Sequence, residues 1–253
     1  MMYMSEAIYQ YTQDQIQKGF QSQNQLIIEK ETDFIFNKLI TNMISVFQDK
    51  IDGIKISNTG FSFSSEYLFS EKHKNNLLKW LDRLVKLEVP ATDLDFGKIK
   101  IDFENWYYHL GGEHIEFIYQ DTYLLTPKEA AAALGVSKVT LNKYIKQGLE
   151  CVENGTHNKI PKYTIEVMRD PIYSILMQAL AQEKKIRNQT PADRFVEINH
   201  ELSELQLKYK TTSFEEAFRH YNGDEMDDPT DYYRWKDLLE EMNEILKLGG
   251  GSI

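Results

Sequence analysis

Ser137, Lys138, Thr140, Asn142 and Lys143 fall within one short stretch of the chain. Two hydroxyls, an amide and two ammonium groups suit anionic oxygens and the polar edges of bases. Ser137 precedes a helical pattern, so Ser137 and Thr140 are expected at a helix N-terminus. There, hydroxyls and backbone N–H groups suit phosphate. Asn142 can read adenine through two hydrogen bonds, and Lys143 can reach guanine O6 and N7 or a phosphate. Lys159 and Lys162 suit backbone phosphates.

Those side chains need a scaffold, and the flanking residues supply its punctuation. Thr126 suits an N-cap and Pro127 the first helical position. A short helix is predicted from Pro127 to Leu134, and Gly135 suits a turn with positive φ. Val136 is an apolar plug. Ser137 is expected to cap a second helix from Lys138 to Gln147, which stops at Gly148. Ala130, Ala131 and Leu134 are expected to face Leu141, Tyr144 and Ile145 across the turn, and the small alanines let the two helices approach closely. These are the physical requirements of a helix-turn-helix.

The ordered set Thr126-Pro127-Lys128-Glu129-Ala130-Ala131, Leu134-Gly135-Val136-Ser137 and Thr140-Leu141 to Gly148 resembles the excisionase/MerR-like winged helix-turn-helix family. The run Gly155 to Lys162 is similar to that family's wing, a Gly-rich turn followed by a basic-Ile-Pro-basic strand end. The resemblance implies that the second helix docks in the major groove of double-stranded DNA. Ser137, Lys138, Thr140, Asn142 and Lys143 match its DNA-facing positions, and the wing is implied to touch backbone or minor groove. The family's usual arginines are lysines here, and lysine lacks the bidentate fork. Modest affinity per monomer is therefore expected, raised by homodimerisation or by partners. A structural helix-turn-helix in a protein-interaction adaptor is one alternative. An excisionase-like architectural or recombination factor is another.

Phe214, Phe218, Tyr232 and Trp235 form a second candidate set. They stand in Ser213-Phe214-Glu215-Glu216-Ala217-Phe218 and Asp231-Tyr232-Tyr233-Arg234-Trp235, either side of an acidic loop from Gly223 to Pro229. This run resembles C-terminal tails of some bacterial antitoxins, which implies a basic protein partner such as a toxin. An acidic helical arm could seat its aromatics in a partner's pockets. The same spacing fits packing among the chain's own helices.

Catalysis is not indicated. His109 and His114 flank Gly111-Gly112 and read as a surface hairpin pair, not a metal site. Cys151 reads as a small buried hydrophobe. Asp224, Asp227 and Asp228 miss the spacing of a calcium loop. Neither a phosphate-binding loop nor a nucleophile elbow is present. No metal and no cofactor is expected.

The formal net charge is −10 over 253 residues, which argues against a non-specific polyanion binder. Divided, it reads differently. Residues 126–169 carry seven bases against four acids, and 200–246 carry five against thirteen. A lone cysteine rules out an internal disulfide, and no apolar run approaches membrane-spanning length. With no signal-peptide pattern at the N-terminus, a cytoplasmic protein is expected.

The expected fold is mixed and mostly α. An α+β domain covers 1–121, a winged helix-turn-helix 122–170, and a helical acidic region 171–253. In the first, helices are expected around Phe34–Phe47 and Glu66–Leu87, with Asp52-Gly53 as a stop between elements. A hairpin is expected for Ile54 to Phe63 around Asn58-Thr59-Gly60. Ile99, Ile101 and Phe103 alternate and predict a strand, with Trp106 to Tyr119 as a second hairpin. Further helices are predicted for Pro171–Arg187, from Thr190-Pro191, after Ser213 as a short cap-started turn reaching Tyr221, and over Asp231–Leu248. The stripe Phe195, Ile198, Leu202, Leu205, Tyr209 has the spacing of a coiled-coil seam.

Overall fold

Helix-start signals are frequent in this chain, and most act where they stand. The computed structural model describes residues 5–57, 61, 64–86, 91–154, 157–219 and 229–249. The described residues are mostly helical, with two small sheets. They divide into two compact units, 1–184 and 185–253.

The first unit opens with α1 (Glu6–Gln21) and α2 (Gln25–Val46), capped by Ser5 and Asn24. Strand β1 (Ile51–Ile56) follows, then α3 (Ser65–Leu68), α4 (Glu71–Lys86) and α5 (Asp93–His109). Strand β2 (Ile115–Tyr119) pairs antiparallel with β1, Ile56 opposite Ile115 and Ile51 opposite Tyr119. The apolar faces of α1, α2, α4 and α5 close on one core. Phe36 stacks on Phe103 at 5.0 Å and Trp80 lies 5.6 Å from Trp106, ring to ring.

Four local expectations are corrected. Ile99, Ile101 and Phe103 lie in a helix, as do Trp106, Tyr107 and Tyr108. Helix α5 is buried on several sides at once, so apolar residues fall at steps of two as well as three and four. Asp52-Gly53 does not end an element but forms a bulge inside β1. Among the described residues β1 pairs with β2; residues 58–60 and 62–63 of the expected hairpin lie outside them. The single helix expected over 66–87 is two, separated at Phe69-Ser70. Residues 87–90 lie outside the described residues.

A 3-10 turn (Asp121–Tyr123) leads into β3 (Leu124–Leu125), then α6 (Pro127–Leu134) and α7 (Lys138–Gln147). Strands β4 (Val152–Asn154) and β5 (His157–Pro161) form an antiparallel hairpin whose tip, 155–156, lies outside the described residues. β5 also pairs with β3, so it is the central strand of three. Helix α8 (Tyr163–Arg169) follows, and α9 (Pro171–Asn188) runs past the end of the unit.

The core does not break at 121 or 170. Phe96 of α5 meets Tyr123 and Tyr163 edge-on, at 6.0 and 5.6 Å. Helices α5 and α8 touch because Gly97 has no side chain: a Cβ there would lie 2.5 Å from Val167 Cγ2 and 2.7 Å from Tyr163 Cδ2.

The second unit holds α10 (Pro191–Tyr209), α11 (Phe214–Ala217) and α12 (Thr230–Gly249). Ile198, Leu202 and Leu205 of α10 pack with Trp235 and Leu238 of α12. The stripe expected as a coiled-coil seam is thus closed by the chain's own last helix. Arg194 locks the pair, with Nε and Nη2 each 2.6 Å from a different oxygen of Glu241. Tyr221, the acidic residues 224–228 and the terminal Gly250 to Ser252 lie outside the described residues.

Gly97→Ala is expected to lower the unfolding free energy by about 1–3 kcal/mol through overpacking, despite alanine's better helix propensity. Urea denaturation measures this, and a neutral or stabilising change would show that α8 can retreat from α5.

Candidate nucleic-acid interface

The turn between α6 and α7 is built as its residues require. Thr126 and Glu129 form a reciprocal capping box at the start of α6. Gly135 ends it at φ 69°, in the left-handed region. Ser137 Oγ accepts from Thr140 N at 3.1 Å and lies 3.0 Å from Thr140 Oγ1. Both hydroxyls therefore serve the α7 cap. Gly148 ends α7 at φ 115° and lets it approach α9, since a Cβ there would lie 2.8 Å from Ala181 Cβ.

The fold divides the faces of α7. Leu141 is fully buried, and Tyr144 and Ile145 are half-buried against the core. Lys138, Val139, Asn142, Lys143 and Lys146 are exposed. Among the described residues, the side chains of Lys138, Asn142, Lys143 and Lys146 make no hydrogen bond or ion pair. Val139, in the first turn of this face, is 80% exposed. An apolar group there can meet a thymine methyl. Val139 and Lys146 were not among the expected site residues, although steps of three and four from Asn142 and Lys143 place them on the same face.

The structure thus brings Lys138, Asn142 and Lys143 to one surface, with Ser137 and Thr140 at its N-terminal end. Lys159 and Lys162 stand elsewhere, half-buried on β5 and at the start of α8. Both act electrostatically on Glu129, whose carboxyl is held below its usual range by the backbone N–H and hydroxyl of Thr126 and then by these lysines. Arg169 is committed to the scaffold, with Nη2 donating to Ala133 O at 2.8 Å.

The second candidate set is placed differently. Trp235 is 1% exposed and Phe218 8%, while Phe214 and Tyr232 are half-buried around them. Phe214 lies 5.1 Å from Tyr232 and Phe218 5.8 Å from Trp235, ring to ring. Phe218 and Trp235 belong to the core of the second unit, and Phe214 and Tyr232 pack against it. Their apolar spacing is that of ordinary amphipathic packing.

His109 and His114 do not form a hairpin pair. His109 ends α5, its ring facing Lys72 Nζ at 2.8 Å and Asn105 O at 2.7 Å. Among the described residues, no group of three or more His, Cys, Asp or Glu is placed to hold a metal ion. Among the described residues, no helix is long and apolar enough to cross a membrane.

Beneath the C-terminal end of α7 lies a buried ionic cluster that no local pattern announced. Lys100 of α5 is 1% exposed, its Nζ 2.8 Å from Glu104 Oε1 and 2.7 Å from Glu150 Oε2. Lys184 of α9 donates to the other oxygen of Glu104 at 2.8 Å. Tyr119 Oη donates to Glu150 Oε1 at 2.8 Å, and Tyr163 Oη donates to Glu150 Oε2. Burial alone would raise the Glu150 carboxyl, but Lys100, Lys184 and the Tyr163 hydroxyl lower it to about 2. Burial, and then Glu150, push both tyrosines well above their usual range. The cluster joins α5, β2, the segment after α7, α8 and α9.

Glu150→Gln is expected to cost about 3 kcal/mol of stability near neutral pH, because Lys100 loses a buried counter-charge. The Glu150 pKa is depressed below its usual 4.5. Its contribution is therefore complete above pH 4.5 and lost as pH falls toward about 2. Denaturation of both proteins across that window should show the gap closing; a gap unchanged at pH 2 would assign the loss to packing. No protein-family model, curated protein or solved structure matches the chain.

Proposed function

We propose that the chain is a sequence-specific DNA-binding regulatory protein in which α7 enters the major groove and the β4–β5 hairpin lies along the backbone. The observation that carries this reading is the outer face of α7. It sets an amide, three ammonium groups and one apolar side chain on a helix whose inner face is locked in the core. A reader of base edges needs free donors on a surface that does not reorganise. Two short helices joined by a left-handed turn and followed by a hairpin support this reading, since a winged helix-turn-helix needs elements of that kind in that order. Transcriptional control is the role such a reader serves, and architectural or recombination control is the alternative.

Lysines in place of arginines make the electrostatic part of binding a matter of point charges. Lys159 and Lys162, offset by Glu129, add less to phosphate binding than an uncompensated pair. Affinity should therefore fall steeply with salt, and a dimer on a two-fold site should bind better than a monomer on a half-site.

Fluorescence anisotropy with the native upstream region tests the reading at low salt. Asn142→Ala is expected to cost about 1–3 kcal/mol at one adenine position only. Lys143→Ala should either do the same at a guanine or weaken all sequences alike and reduce the salt slope by about one. Both side chains are exposed, so folding should be unaffected. Absence of binding at low salt, even by a dimer, would sink the DNA reading and leave the interaction-adaptor role.

A further inference from the structure

The cluster beneath α7 borders a cavity of about 180 Å³ between α5, the end of α7 and α9. Glu104, Glu150 and Lys184 line its polar side. Glu104 is 2% exposed, while Glu150 and Lys184 are about a quarter exposed, at 26% and 28%. Ile145, Leu149, Met177 and Leu180 line its apolar side. We propose that this cavity is a binding site for a small apolar α-amino acid.

The hydrogen-bond capacity of the walls favours a ligand with both an anionic and a cationic group. The Lys184 ammonium has three donors, and among the described residues it makes one hydrogen bond, to Glu104. Each oxygen of Glu104 accepts one bond, and Glu150 Oε1 accepts one, so lone pairs remain on both carboxylates. A ligand carboxylate can take the remaining Lys184 donors while a ligand ammonium takes the spare carboxylate lone pairs.

Charge excludes the simpler candidates. Lys100 and Lys184 balance Glu104 and Glu150, so the cluster is neutral as it stands. A lone carboxylic acid or amine would leave one uncompensated charge in a largely buried site, which is costly. A zwitterion adds none. A cavity of ~150 Å³ can hold benzene, so this one has room for a leucine or methionine side chain against its apolar wall. The site stands independently of the DNA reading, because every residue in the argument belongs to the cavity itself.

Isothermal titration of the full chain with L-leucine and L-methionine tests the proposal. Isovalerate serves as the carboxylate-only probe and isoamylamine as the ammonium-only probe. Saturable binding of leucine or methionine is expected, at least about tenfold tighter than either probe, the equivalent of one charge-assisted hydrogen bond. Cys151 also lines the cavity, so the bound amino acid should slow its alkylation by iodoacetamide. Lys184→Met should weaken binding by a similar factor. Absence of saturable binding by both amino acids, or equal binding of isovalerate or isoamylamine, would overturn the proposal on the unmutated protein. An unchanged affinity in a folded Lys184→Met variant would overturn it as well.

Discussion

A lysine ammonium that is 1% exposed must be met by carboxylates, because an unpaired buried charge is costly. Lys100 is met by Glu104 one turn along its own helix and by Glu150 fifty residues away. Much of the first unit is arranged around that requirement. Glu150 can reach Lys100 only if α7 stops at Gly148, and α7 can stop against α9 only because Gly148 has no side chain. Tyr119 and Tyr163 bring β2 and α8 to the same carboxylate. Ion clusters of this kind add little net stability compared with apolar packing of equal volume, but their directional bonds penalise wrong arrangements. Here they fix one seating of α6 and α7 on the helices before them.

That seating divides labour among the basic residues. Arg169 holds a helix-end carbonyl, Lys100 and Lys184 are absorbed in the cluster, and Lys159 and Lys162 are offset by Glu129. The exposed lysines of α7 are left with nothing to do inside the molecule. Charge counted along the sequence could not make this distinction, since seven bases between 126 and 169 look alike until their partners are placed.

Local chemistry was legible and long-range chemistry was not. Thr126-Pro127, Gly135, Ser137, Gly148 and Thr190-Pro191 each act within a turn of themselves, and each sits where its type implies. α5 was misread because a helix buried on several sides loses the one-sided period that identifies a surface helix. A hairpin is the shortest way to pair a strand, so the sequence predicts a near neighbour for β1; the partner found among the described residues lies some sixty residues on. The outer face of α7 is readable from its spacing, which places Val139 and Lys146 there beside Asn142 and Lys143. The cluster under it could not, since Lys100, Glu104 and Glu150 are unremarkable until the fold brings them together. The aromatic residues of the second unit were recognised as a set, but their spacing could not distinguish a core from an anchor.

The anchoring of α7 has a thermodynamic side. Its backbone is capped at both ends and its buried face is fixed, so the binding proposed for its outer face need not order a segment first. The conformational entropy lost on contact is then confined to a few lysine and asparagine rotamers. The heat-capacity change should follow the surface removed from water, without the large extra term that accompanies coupled folding.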